Sequence, residues 1–129
     1  MREQPYVCGI DAAVDVIGGK WKVLILWALK DGKQRFGEVK RQIPGVSEKV
    51  LIQQLRELEA DEIVHREVHR EVPPKVEYSL TALGVSLNGA LGPLGDWGRE
   101  NMAHIAAVRG ELCADKAGKT KAGAVGGTL

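Results

Sequence analysis

Cysteine is nearly absent. Cys8 and Cys113 are the two in 129 residues, far apart and in no CxxC motif. Such a pair makes no disulfide framework and points to a reducing compartment where thiols stay free. The opening Met1-Arg2-Glu3-Gln4-Pro5 lacks the apolar core of a signal peptide. One uncharged stretch of 18 residues, Tyr78 to Gly95, has the length of a membrane span. Half of it is Ser, Thr, Asn, Gly and Pro, too polar for lipid, so it reads as a buried or partner-facing segment. These absences predict a cytoplasmic chain with no membrane partner. No HExxH, P-loop, GxGxxG or nucleophile-plus-base arrangement occurs, so the sequence predicts no enzyme, no cofactor and no metal site. His65 and His69 do not change this. On a strand their Cα atoms lie about 13 Å apart at 3.3 Å per residue, too far to share one ion. An excess of one charge sign is lacking too: the net charge is +1, taken alone a weak argument for a nucleic-acid partner.

What is there is unevenly distributed. Seven cations between Lys20 and Arg41 (Lys20, Lys22, Lys30, Lys33, Arg35, Lys40, Arg41) face Asp31 and Glu38, a local excess of five. Further on, Ser47 to Glu59 reads as an amphipathic helix. With Leu51 as reference, Leu55 and Leu58 fall within about 40° of it, while Lys49, Gln53 and Arg56 gather near the opposite pole. Ser47 stands where an N-cap belongs, and Pro44-Gly45 forces a turn ahead of it. An ordinary amphipathic helix with a solvated charged face would look the same, so its neighbours decide.

Residues 1–7 read as a flexible arm. Ile10, Ala13, Val14 and Ile17 mark a short helix from about Asp11, ended by Gly18-Gly19. The next helix begins at Lys20. Its centre, Val23 to Leu29, is apolar all round, which predicts a hub buried on nearly every side. Phe36, Val39 and Ile43 define a third helix, from about Arg35 to Gln42, followed by the Pro-Gly turn and the Ser47 helix. Two short helices joined by a tight turn form a helix-turn-helix pattern. The period then changes. Two antiparallel strands, about Ile63–Arg70 and Val76–Leu80, flank a loop holding Pro73 and Pro74. Three helices and such a hairpin make a winged helix: mainly α with a small β-hairpin. Arg66 and Glu77 read as a cross-strand pair. Thr81 is a candidate N-cap for one bent helix, or two consecutive ones, out to about Leu112. Its apolar stripe (Leu87, Leu91, Leu94, Trp97, Ile105, Val108) exceeds what a small domain needs for itself, which predicts a homodimer formed through the N-terminal and long C-terminal helices. The winged-helix domain is thus expected over 8–113, with a disordered tail over 114–129.

These residues resemble a known family. Cys8 ahead of Ile17-Gly18-Gly19-Lys20-Trp21-Lys22, then Arg35-Phe36-Gly37-Glu38, Pro44-Gly45-Val46-Ser47, Leu51 with Gln54-Leu55-Arg56-Glu57-Leu58, and Pro73 to Gly84 are similar in order and spacing to the HxlR-type bacterial transcriptional regulators. The likeness runs from about Cys8 to Trp97. It implies a homodimeric winged-helix protein that binds double-stranded DNA, and it puts Cys8 where some members sense oxidants or electrophiles. Ile52 departs from the family pattern, standing where a small polar residue is usual. Gly9 departs as well, following Cys8 where proline is frequent.

Candidate site residues follow. Residues early in a recognition helix reach bases, which selects Ser47, Lys49, Val50 and Gln53, with Gln54 beside them. Gln matches adenine and Arg guanine by paired hydrogen bonds. Arg56, one turn later, is expected on the DNA backbone; the alternative is an i, i+3 pair with Glu59. Arg70 and Lys75, flanking the Pro-Pro tip, are candidates for phosphate or minor-groove contacts, and Arg35 completes the set of DNA-binding candidates. Cys8 reads either as a sensing thiol or as a small apolar residue packed at a dimer interface. Two functions compete. One is a sequence-specific regulator on a pseudo-palindromic operator, modulated by a small-molecule effector or at Cys8. The other is a winged-helix protein-interaction module without DNA binding.

Overall fold

Glycine and proline punctuate this chain, and the elements lie between them. The computed structural model describes the backbone over residues 5–117 and side chains over 5–110. The order is α1 (Gly9–Ile17), α2 (Lys20–Ala28), β1 (Gln34–Arg35), α3 (Phe36–Gln42), α4 (Glu48–Ala60), β2 (Val64–His69), β3 (Lys75–Leu80) and α5 (Ala82–Ala117). It is a winged helix. The chain divides into two compact units, Met1–Gly89 and Ala90–Leu129.

The α3–α4 turn forms as its residues dictate. Pro44 supplies the second position, Gly45 takes φ 89° at the third, and Val46 N–H closes the turn on Ile43 O at 3.3 Å. Ser47 caps α4, its Oγ accepting from Val50 N–H at 3.1 Å. The leucine stripe of α4 then meets α2 and α3. Leu51, Leu55 and Leu58 are at most 1% exposed, as are Ile25, Leu26 and Leu29 near α2 and Val39 and Ile43 near α3. Each such side chain contributes about 1.5–3 kcal/mol on leaving water. α2 is not buried on nearly every side, however. Leu24 is 36% and Trp27 53% exposed, because the core takes one face of this helix and, among the described residues of the first unit, the other is left open.

The sheet has three strands in the order β1-β3-β2, all antiparallel, rather than the two expected. Gln34 and Arg35 pair with Tyr78 and Glu77 before Phe36 begins α3, so Arg35 belongs to a strand and to the helix cap. In β2–β3 the register sets Arg66 opposite Tyr78 and Glu67 opposite Glu77. The expected Arg66–Glu77 pair therefore does not form.

Thr81 ties the end of the wing to the residues that follow α4. Thr81 caps α5, its Oγ1 accepting from Gly84 N–H at 2.9 Å and donating to Glu62 O at 2.7 Å, with Ile63 O at 3.1 Å as second acceptor. Gly84 is glycine for want of room: a Cβ there would lie 2.2 Å from Ile63 O. α5 is continuous through Pro93 to Ala117, five residues beyond Leu112. The expected disordered tail lies, from residue 118 onward, outside the described residues.

Candidate nucleic-acid interface

The exposed face of α4 is the one the helical wheel selected. Lys49, Gln53 and Arg56 are exposed, Val50 and Gln54 half-buried, and Ser47 is exposed at the cap. The N-cap serine and the first turn of α4 also present the positive end of the helix dipole, suited to a phosphate. Arg56 makes no pair with Glu59 among the described residues. It lines a cleft of about 610 Å³ between α4 and the wing, with Ile52, Glu59, Arg66, Val76 and Tyr78. Ile52, 38% exposed, forms part of its apolar wall. Sequence reasoning assigned Arg66 elsewhere; the register places it in this cleft.

Gln53 is held. Its Nε2 donates to Glu57 Oε2 at 3.3 Å, and Glu57 Oε1 meets Lys22 Nζ at 2.6 Å. Lys22 is the one buried charged residue among those described, 7% exposed. Its hydrogen bond is the largest influence keeping the Glu57 carboxyl below the usual glutamate range. The sequence assigns neither Lys22 nor Glu57 a role at the site; the available signal is a lone cation inside the apolar Trp21–Leu29 run.

The other predicted contacts are spread over the sheet. Arg35 is exposed on β1, its N–H donating to Glu38 Oε1 at 2.8 Å. Arg70 is exposed at the tip, and Lys75 is half-buried with Nζ 4.0 Å from Glu77. The opposed Glu67 and Glu77 would repel. His69 Nε2 lies between them, 2.8 Å from Glu77 and 3.9 Å from Glu67, and Lys33 reaches Glu67 at 3.2 Å. His69 thus joins two carboxylates rather than His65, and the ligand atoms of the three lie within 4.8 Å of one another. Lysines already occupy both carboxylates, so the cluster reads as an ion-pair network. Of the local cation excess, Lys22, Lys30 and Lys33 are committed to acids, and Lys20 and Lys30 lie over the rings of Trp21 and Trp27. Cys8 is exposed and free at the N-cap of α1, its N–H and that of Val7 held by Asp11 at 3.0 and 2.8 Å.

Residues 16–106 match the pattern of the HxlR-like helix-turn-helix family. The chain belongs to that family. This HxlR-like protein is 47% identical over 104 residues to an uncharacterized HTH-type transcriptional regulator of Methanothermobacter thermautotrophicus, covering 81% of this chain and 79% of the relative. Among solved structures it resembles the redox regulator HypR in its reduced form, with TM-score 0.70 and 48% identity over 74% of this chain and 94% of that one. It also resembles diamide-treated YodB of B. subtilis, with TM-score 0.64 and 36% identity over 75% of this chain and 96% of that one. Family and relatives make the HxlR-like chain a DNA-binding transcriptional regulator. Among its described residues no helix is long and apolar enough to cross a membrane.

Proposed function

We propose that this regulator is cytoplasmic and binds a pseudo-palindromic operator as a homodimer, with α4 in the major groove. The observation that carries the reading is the division of α4 itself. Three leucines at most 1% exposed fix it to the core, and Lys49, Gln53 and Arg56 stand on its open side. Ser47, Lys49, Val50, Gln53 and Gln54 then meet base edges or adjacent phosphates, while Arg56, Arg35, Arg70 and Lys75 meet the backbone beside them. Dimerisation is supported by apolar side chains left open within each unit. Ile10 and Val14 of α1 are 74% and 54% exposed, and Leu94, Trp97 and Met102 are each more than half exposed.

The deciding experiment is selection of bound DNA fragments followed by anisotropy titrations of the winning site. Gln53→Ala should lose about 1–3 kcal/mol of preference for one base pair. Arg70→Ala should weaken all sequences alike and lower the log–log salt slope by about 0.9. No preference over random DNA at any salt would refute the reading. Dimer mass by sedimentation, with Ile10→Glu shifting it to monomer, tests the assembly.

The modulating signal is a small molecule or thiol modification at Cys8. Its thiol is exposed at a helix N-cap, and two solved relatives are a redox regulator and a diamide-treated protein. A Cys8 thiolate adds to a quinone with formation of an S–C bond, or is oxidised by a hydroperoxide to sulfenic acid with release of the alcohol. Wild-type operator affinity should change on such treatment and that of Cys8→Ser should not; equal responses would remove Cys8 from the signal.

A further inference from the structure

The core helix α2 carries a charge that packing does not explain. Lys22 lies among Ile25, Leu26 and Ala28 on the buried side of a nine-residue helix. An apolar residue would fill that position without the desolvation that a buried ammonium incurs. The ammonium is directed at one carboxylate. Glu57 stands on α4, one turn after Gln53, and its two oxygens are divided: Oε1 takes Lys22 Nζ at 2.6 Å and Oε2 takes Gln53 Nε2 at 3.3 Å. The Glu57 carboxyl is held below its usual range by these two hydrogen bonds, so it is ionised and accepts only.

That fixes which way the Gln53 amide faces. A carboxylate cannot receive the amide oxygen, so the NH2 end must turn toward Glu57. One N–H is spent there. When the N–H anti to the carbonyl oxygen is the one given to Glu57, the other N–H stays free beside that oxygen, on a residue exposed on α4. This edge, one donor next to one acceptor, is what adenine N7 and N6 require. We propose that Lys22 is a positioning residue for base reading: through Glu57 it locks the Gln53 amide in the orientation that recognises adenine. The inference rests on α4 being the recognition helix. Without Lys22, Glu57 swings freely in solvent and the Gln53 amide rotates among orientations, most of which present the wrong edge.

The experiment compares affinity for the selected operator with affinity for the same DNA carrying each other base pair at the Gln53 contact. Wild-type protein should discriminate about five- to 150-fold in favour of adenine. Lys22→Met should reduce discrimination nearly to that of Gln53→Ala, with the salt slope unchanged. Lys22→Arg should restore it, and Lys22→Met added to Gln53→Ala should remove nothing further. Equal loss of affinity for all bases in Lys22→Met, or undiminished discrimination, would overturn the proposal. Should Lys22→Met not fold, the Gln53 side-chain amide in wild-type protein free of DNA decides by 15N relaxation. An ordered amide supports the lock, and one as mobile as a solvent-exposed glutamine refutes it. If Gln53→Ala itself leaves base preference intact, Gln53 is not a reader, and the proposal falls with that assignment whatever Lys22 does.

Discussion

Two glycines on α5 should respond to the same substitution with opposite sign. Replacing glycine with alanine inside a helix normally stabilises by about 0.5–1 kcal/mol, since alanine has less backbone freedom to lose. Gly89 has nothing within 4 Å of an added Cβ and should show that gain. At Gly84 the Cβ would lie 2.2 Å from Ile63 O. Carbon–oxygen contacts settle at about 3.3 Å, so roughly 1 Å of movement is required. Both partners are backbone, and no rotamer change can relieve them. Ile63 is 3% exposed, and its carbonyl accepts from Thr81 N–H at 3.0 Å. Movement there strains the joint between wing and core. Overpacking of this kind costs about 1–3 kcal/mol, which outweighs the helix gain. Urea titration followed by far-UV circular dichroism, at one fixed protein concentration, should place Gly84→Ala below wild type and Gly89→Ala above it. At this chain length each kcal/mol moves Tm by about 4 °C, so the two variants should melt several degrees apart. A Gly84→Ala protein as stable as Gly89→Ala would refute the steric reasoning.

Other outcomes follow from single features. Glu62 takes φ 63° after α4 and contributes its carbonyl to Thr81, so Glu62→Gly should raise the urea midpoint, by about 1 kcal/mol of stability. Ser47→Ala should cost about 0.5–2 kcal/mol by freeing Val50 N–H, and Ser47→Asp should recover most of it; the contrast, read by thermal melts, isolates the cap. Glu57 and Glu67, each lowered from 4.5 by a lysine partner, are depressed in the folded chain. Their ion pairs are intact above that value and lost as pH falls through the lower folded one, so the contribution of these two pairs to stability, and that of Glu57 to base preference, should be flat near neutrality and decline only in acid. Lys22→Met should shrink the acid decline in a melt series, and an unchanged decline would exclude Glu57 as its source.

Much of this architecture was legible because its signals are local. The Pro44-Gly45 turn, the Ser47 cap, the leucine stripe and the Thr81 cap each depend on residues within a turn or two of one another. Register was not legible. The five residues between His69 and Lys75 set Glu67 against Glu77 and moved Arg66 beside α4, a choice made by hairpin length rather than by charge. β1 escaped notice since two residues carry no period. The Lys22–Glu57–Gln53 chain was hidden for a different reason. Its ends are 31 residues apart, and only the packing of α2 on α4 brings them within reach. The apolar run of α2 points the opposite way: it predicts a helix covered all round, and the described residues of the first unit cover one side.

The Thr81 hydroxyl has a consequence for what can replace it. One oxygen serves both directions, receiving from the start of α5 and giving to the carbonyls that follow α4. Serine keeps that oxygen and loses only a methyl group. Valine keeps the volume and loses the oxygen, so the two substitutions separate shape from hydrogen bonding at a place where helix, wing and core share a single atom. A rotation of the first turn of α5 is felt at Glu62 and Ile63 through that oxygen and the Thr81 N–H, which couples the start of α5 to the end of α4.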